Sequence, residues 1–350
     1  MSRTTTASIV SGGLQSFAMS TVLAQGRLPA GTTRVVVLDT NAYRVLAQDR
    51  SQADSIANAV ELRQGETKHS VFAVASPVVA IELIAHLDDA DDPAKDVCMK
   101  ALASLGEHAR NGSGGGVRLF GWTEDLISHA LFDASIPKAA DIVGNISALV
   151  VHIRDNAPSI RDPAAIAGIS MWASFVRNTE SSWATALARA CGVSVSPTEG
   201  TVALAKGDAT LQKQSRDFFL GQGFQESWSR IEVVSVLGLL GRRLQETELD
   251  EAVRQFKNIF AVPLKLQAEL LAKLANAKGI ALLNPRRKWA NHIWDSSISF
   301  LVGKGAMIEG SGSNLSPATA HSRMPPTRPA VEIALGHSAS ILRASASNMA

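Results

Sequence analysis

The chain has 350 residues, 46% of them hydrophobic and 19% charged, with a formal net charge of +2. That length holds about two domains, or one domain with a large insertion, and the composition is that of a globular protein with a sizeable core. The near-neutral balance excludes no function class by itself; it is not the strongly basic footprint of a protein that coats nucleic acid, and it leaves room for a local basic patch.

No apolar run reaches the roughly 18 residues a membrane span needs, so no membrane is expected among the partners. Cys98 and Cys191 stand alone, without Cys or His neighbours at ligand spacing. That argues against zinc and fits a reducing compartment. Gly12, Gly13, Gln15 and Ser16 break the moderately apolar stretch near the start, and no small-x-small cleavage site follows it. Residues 1–30 are therefore expected to be a partly helical or loose lead-in to a cytoplasmic protein.

Val35-Val36-Val37-Leu38 is an apolar run that stops at Asp39-Thr40-Asn41. Such a run flanked by turn formers predicts a buried strand. A buried parallel strand presents its reactive groups at its carboxyl end, where the backbone leaves the sheet. Asp39 stands there, either as a functional acid or as the cap of the helix that follows. Helical pattern runs from Ala42 to Gln48 and from Asp49 to Arg63, with Gly65 expected to end it. Val71 to Val74 predicts a second strand. Ser76-Pro77 is an N-cap followed by proline at the first helical position, and the helix to Leu87 is apolar nearly all round.

Glu82 interrupts that apolar helix, with His86 one turn later. A carboxylate on a buried helix costs several kcal/mol, about the transfer penalty of an unpaired charge, unless something compensates it. Three arrangements do so: a Glu82–His86 pair, a solvent-facing stripe, or a metal ion. Asp88 to Asp92 reads as a solvated acidic turn and Ala94 to Arg110 as a helix. The glycine-rich loop Asn111 to Gly116 lacks dinucleotide-fingerprint spacing. Val117 to Trp122 predicts a strand and Glu124 to Phe132 a helix.

Residues 133–279 carry almost only helical periodicity, over Ile142–Ile153, Ala164–Cys191, Ala209–Leu220, Glu226–Arg243 and Leu249–Ala277. Pro263 is expected to kink or split the last of these. Trp172, Phe175, Trp183, Phe218, Phe219 and Trp228 read as core rather than as a base-stacking platform. Strand pattern returns at Ile280 to Leu283, followed by Arg286-Arg287-Lys288-Trp289, the densest basic cluster of the chain. In the helix predicted from Ala290 to Val302, Asn291, Asp295 and Ser299 form a polar stripe at steps of four. Ala306 to Ile308 suggests a last strand, Ser313 to Pro329 a loop and Ala330 to Arg343 a terminal helix.

Asp39, Glu82 and Asp295 thus occupy comparable places. If the strands are parallel and adjacent, the three acids converge at one sheet edge. Crowded carboxylates repel one another, and a divalent cation relieves this. Oxygen-only ligands suit Mg²⁺ or Mn²⁺.

Leu38-Asp39-Thr40-Asn41, then Ser76-Pro77-Val78-Val79-Ala80-Ile81-Glu82-Leu83, then Trp294-Asp295-Ser296-Ser297-Ile298-Ser299, resemble the acidic series of PIN-domain nucleases. These are metal-dependent ribonucleases, many of them toxins of toxin–antitoxin or defence systems. The resemblance covers about residues 30–132 and 278–312. It implies a PIN-like α/β core, a parallel sheet flanked by helices, interrupted by a large all-helical insertion. It also implies hydrolysis of RNA phosphodiesters by metal-activated water, with Asp39, Glu82 and Asp295 as catalytic metal ligands for Mg²⁺ or Mn²⁺. Asn41 or Thr40 would support the first acid. A further acid usual after the last strand is missing, unless Glu309 or Ser311 replaces it. Arg286, Arg287 and Lys288 would neutralise substrate phosphates, with Trp289 stacking a base; a solvated basic turn with Trp289 inward is the other reading. His292 would donate to the scissile phosphate or is a surface histidine.

The expected organisation is a lead-in over 1–30, a core in two parts over 31–132 and 280–312, the insertion over 133–279 and a tail over 313–350. The insertion would serve a protein partner, a homo-oligomer or RNA selection. Two rival functions remain: a retired nuclease acting as an interaction protein through that insertion, and a different Mg²⁺-dependent phosphohydrolase. For the latter, the Asp-Thr-Asn motif lacks the second Asp that a haloacid-dehalogenase-type enzyme uses.

Overall fold

The computed structural model describes residues 23–25, 34–112, 115–157, 159–190, 209–276, 294, 297, 300 and 308–309. Five short strands and eleven helices are described: β1 Leu23–Gln25, β2 Arg34–Leu38, β3 Val71–Ala73, β4 Leu119–Phe120 and β5 Ile308–Glu309 among the strands. The helices are α1 Thr40–Ala47, α2 Gln52–Lys68, α3 Pro77–Ala85, α4 Lys95–His108, α5 Thr123–Phe132, α6 Ala139–Asn156, α7 Pro163–Ala190, α8 Ala209–Phe219, α9 Gln222–Leu239, α10 Glu246–Ile259 and α11 Ala261–Asn276. The fold is mixed α/β and predominantly helical, around a small parallel sheet.

The sheet grows from β2. The β-branched run Val35 to Val37 suits a pleated, buried surface, and Val36, Val37 and Leu38 are buried. Both neighbours lie parallel to it: β3 in the register Arg34–Val71 to Val36–Ala73, and β5 in the register Val37–Ile308 and Leu38–Glu309. The strand pairing continues past β3, where Val74 N–H donates to the Val36 carbonyl. A parallel bridge between Ala75 and Leu119 then joins β4, which pairs antiparallel with β1. Parallel strands share one carboxyl edge, so β2, β3 and β4 all release the chain on the same side. Val37, Val74, Phe120 and Leu126 pack together, with Val35 against them, which seats α5 on one sheet face.

The chain divides into two compact units. The first contains residues 1–177 and 301–312, the second residues 178–300 and 313–350. In the first, α1 and α2 pack on α4, and α6 packs on α4 and β1. Thus α6, inside the span expected as an insertion, rests on elements of the first unit. In the second, α8 packs on α11 and α9 on α10. Phe218, Phe219, Phe224 and Trp228 form one ring cluster, and Phe256, Phe260 and Phe300 another. Those contacts fit the core role expected for Phe218, Phe219 and Trp228.

Two sequence expectations need correction. Leu23–Gln25 is not helix or loose lead-in but strand, because β4 offers it a ladder that satisfies its backbone. Gly65 does not end α2; the helix passes through it to Lys68, and the stop comes at Ser70, whose φ of 55° lies in the left-handed region. A side chain at Gly65 would meet nothing within 4 Å. Pro263 does split its helix: α10 ends at Ile259, and Pro263 sits in the first turn of α11, where its missing N–H is harmless. The strand predicted over Ile280–Leu283 and the terminal helix over Ala330–Arg343 lie outside the described residues.

Candidate functional site

At the end of β2 the chain turns through Asp39, the N-cap of α1. Its Oδ1 accepts the Ala42 N–H at 2.7 Å. The capping reading of this residue therefore holds, and the bond fixes the carboxylate at the carboxyl edge of the sheet. The neighbouring strand repeats the device. Ser76 caps α3, its Oγ accepting the Val78 N–H at 3.2 Å, and Pro77 occupies the first helical position. In α3, Pro77 to Ile81, Leu83 and Ile84 are buried, while Glu82 is half-buried, as are Ala85 and His86 a turn later.

Glu82 returns across the edge to the start of α1. Thr40 Oγ1 donates to Glu82 Oε2 at 2.5 Å. The residue directly after Asp39 thus touches the carboxylate of α3. Asn41 is exposed on the first turn of α1. Asp295, Arg286, Arg287, Lys288, His292 and Ser311 lie outside the described residues. The backbone of Glu309 pairs beside Leu38, which sets the end of β5 next to the end of β2.

His86 turns to Asp92: its Nδ1 donates to Asp92 Oδ2 at 2.7 Å. Asp92, expected in a solvated turn, is half-buried, and its Oδ1 accepts the Ala94 N–H at 2.7 Å where the chain enters α4. Burial opposes its charge. The hydrogen bonds from His86 and Ala94, with the positive charges of His86 and Arg44, outweigh burial and hold this carboxyl below its usual range. Cys98, in the first turn of α4, is buried. Burial pushes its thiol up to about 12, opposed by Arg44 and reinforced by the negative charges of Asp92 and Glu82. Arg44, Asp92 and Glu82 therefore share one electrostatic neighbourhood. Sequence reading missed Arg44 and Asp92; the available signal was the four-residue step from Thr40 to Arg44, one helical face.

Two further buried polar sets escaped it. Glu124 follows β4 at the same carboxyl edge, is 5% exposed, and its Oε2 has no hydrogen-bond partner among the described residues. Burial raises its carboxyl to about 7; its own backbone N–H opposes this and the charge of Asp125 adds to it. The Asp125 carboxyl is also raised by burial, against the Ile136 N–H that its Oδ1 accepts at 2.7 Å and the nearby His129. Deeper in, Tyr43 OH and His108 Nδ1 lie 3.0 Å apart, and His108 Nε2 and Glu66 Oε2 2.9 Å apart. With the ring proton on Nε2, the Tyr43 hydroxyl donates to Nδ1 and Nε2–H donates to Glu66, so each polar atom is satisfied. Burial first, then the charge of Glu66, raises the Tyr43 phenol well above its usual value. This chain ties α1 to α4 and α2.

Among the described residues, no group of three or more His, Cys, Asp or Glu side chains is placed to hold a metal ion. Asp39 and Glu82 together offer hard oxygen donors of the kind Mg²⁺ and Mn²⁺ accept, and Mg²⁺ is commonly bound through only one or two carboxylates with several retained waters. In donor chemistry the two carboxylates fit such an ion. No described helix is long and apolar enough to cross a membrane. Comparison with known proteins found no matching family model, no matching curated protein and no matching solved structure.

Proposed function

We propose that the chain is a PIN-like, divalent-metal-dependent endoribonuclease whose Asp39 and Glu82 hold one Mg²⁺ or Mn²⁺ at the carboxyl edge of the parallel sheet. The observation that carries this reading is the 2.5 Å hydrogen bond from Thr40 to Glu82, which joins the helix carboxylate to the strand end bearing Asp39. The sheet supports it too: β2 lies between two parallel neighbours, and ligands of open α/β sheets bind outside the carboxyl ends of their strands. RNA as the substrate, and a role as toxin or defence effector, rest on the resemblance of the acidic motifs.

The chain's own residues divide the work. The Ala42 N–H holds Asp39 in one orientation. Thr40 does the same for Glu82, and supporting hydrogen bonds of this kind commonly govern how well a ligand binds its metal. A bound divalent ion supplies charge neutralisation on the phosphodiester and lowers the pKa of an attacking water. The sequence adds Asp295 as a third ligand and Asn41, Arg286, Arg287, Lys288 and His292 as substrate contacts.

The test is cleavage of single-stranded RNA with Mn²⁺, wild type beside Asp39→Asn. Metal-dependent cleavage that the substitution abolishes supports the reading. Absence of such cleavage favours the interaction protein acting through its helices.

A further inference from the structure

We infer that Arg44 is a substrate-binding residue that takes a phosphate of the nucleic-acid backbone beside the Asp39–Glu82 pair. The inference rests on the proposed nuclease reading and extends it to one cation. Arg44 lies four residues after Thr40 on α1, so the two share a helical face. That face meets α3, since the Thr40 hydroxyl bonds Glu82. Arg44 is half-buried, and its charge is felt at both Asp92 and Cys98, the latter also feeling Glu82.

What distinguishes Arg44 from an internal counter-ion is its lack of close partners. Among the described residues its guanidinium makes no hydrogen bond and no ion pair within 4.0 Å. Asp92 is instead engaged by His86 and the Ala94 N–H. Arg63, Arg110 and Arg118 each donate from the guanidinium to a named acceptor. A guanidinium fork left without such a commitment matches the paired oxygens of a phosphodiester.

The test reads binding of a fluorescein-labelled oligouridylate by anisotropy, in EDTA and over a range of salt. Because no metal is present, it reports on Arg44 whether or not the chain cleaves RNA. Arg44→Gln is expected to weaken binding about 5- to 10-fold, as loss of one charged phosphate contact does, and to reduce the slope of log K against log salt by about 0.7. Arg44→Lys keeps the charge and should restore the slope, which also guards against a misfolded glutamine variant. A wild-type slope in Arg44→Gln, or no binding by the wild type, overturns the inference. If wild type cleaves RNA with Mn²⁺ while the slope is unchanged, only the role of Arg44 falls. If it binds with the expected slope change but does not cleave, only the nuclease reading falls.

Discussion

Thr40 Oγ1 and Glu82 Oε2 meet at 2.5 Å although 42 positions separate them. The bond links the first residue of α1 to the middle of α3, two helices that follow adjacent parallel strands. Each strand releases its chain at the same edge, and each helix begins with a side-chain cap that sets its direction. The meeting of the two groups is thus a consequence of parallel pairing and two local caps.

Thr40→Val keeps the shape of the side chain and removes the donor. If Thr40 orients a metal ligand, Mn²⁺ affinity should fall about 10-fold, at the lower end for such supporting bonds, and Thr40→Ser should stay near wild type. Isothermal titration with MnCl₂ checks both. Equal affinity for all three proteins would reduce the bond to a helix tie.

Glu124 predicts a pH effect on stability. Its folded pKa, about 7, lies above the ordinary carboxyl value of 4.5. The folded state therefore binds the proton more tightly than the unfolded chain. The contribution is fully present below about 4.5 and is lost as pH rises through about 7. Glu124→Gln should remove that slope and stabilise the protein at pH 8 by up to about 3 kcal/mol, the shift converted at about 1.4 kcal/mol per pH unit. Asp125 is shifted in the same direction, so the difference between variant and wild type across pH isolates Glu124. Parallel urea curves from pH 4 to 8 provide the measurement.

Tyr43→Phe deletes one hydroxyl from the buried chain Tyr43–His108–Glu66. It leaves His108 Nδ1 without its partner at a site fully shielded from water. An unpaired buried acceptor costs about 1–3 kcal/mol, so the unfolding free energy should drop by that amount. A change below about 0.5 kcal/mol, the range of neutral surface substitutions, would contradict the role given to the bond.

What could be read from the sequence was what local rules govern. Val35 to Leu38 followed by Asp-Thr-Asn announced a strand and a cap; Ser76-Pro77 announced the next helix; and Glu82 stood out against an apolar helix. Partnerships made by tertiary packing leave no period in the sequence. Tyr43 and His108 are 65 positions apart, His108 and Glu66 are 42, and nothing local marks them as a set. Asp92 looked solvated because its neighbours are acidic, yet His86 and the start of α4 draw it inward. Gly65 looked like a helix stop because glycine tolerates the left-handed conformation, but the chain adopts that conformation at Ser70.

The most direct measurement is Mn²⁺ binding to wild type, Asp39→Asn, Glu82→Gln and the double variant, by electron paramagnetic resonance of the free ion. Asparagine is as good an N-cap as aspartate, so Asp39→Asn should leave α1 and the fold intact while removing a charge from the site. Wild type should take up one ion. Each single variant should lose affinity at least about 10-fold, and the double variant should lose little more, since two ligands of one ion are not additive. Unchanged binding in either single variant would contradict a shared metal site at Asp39 and Glu82.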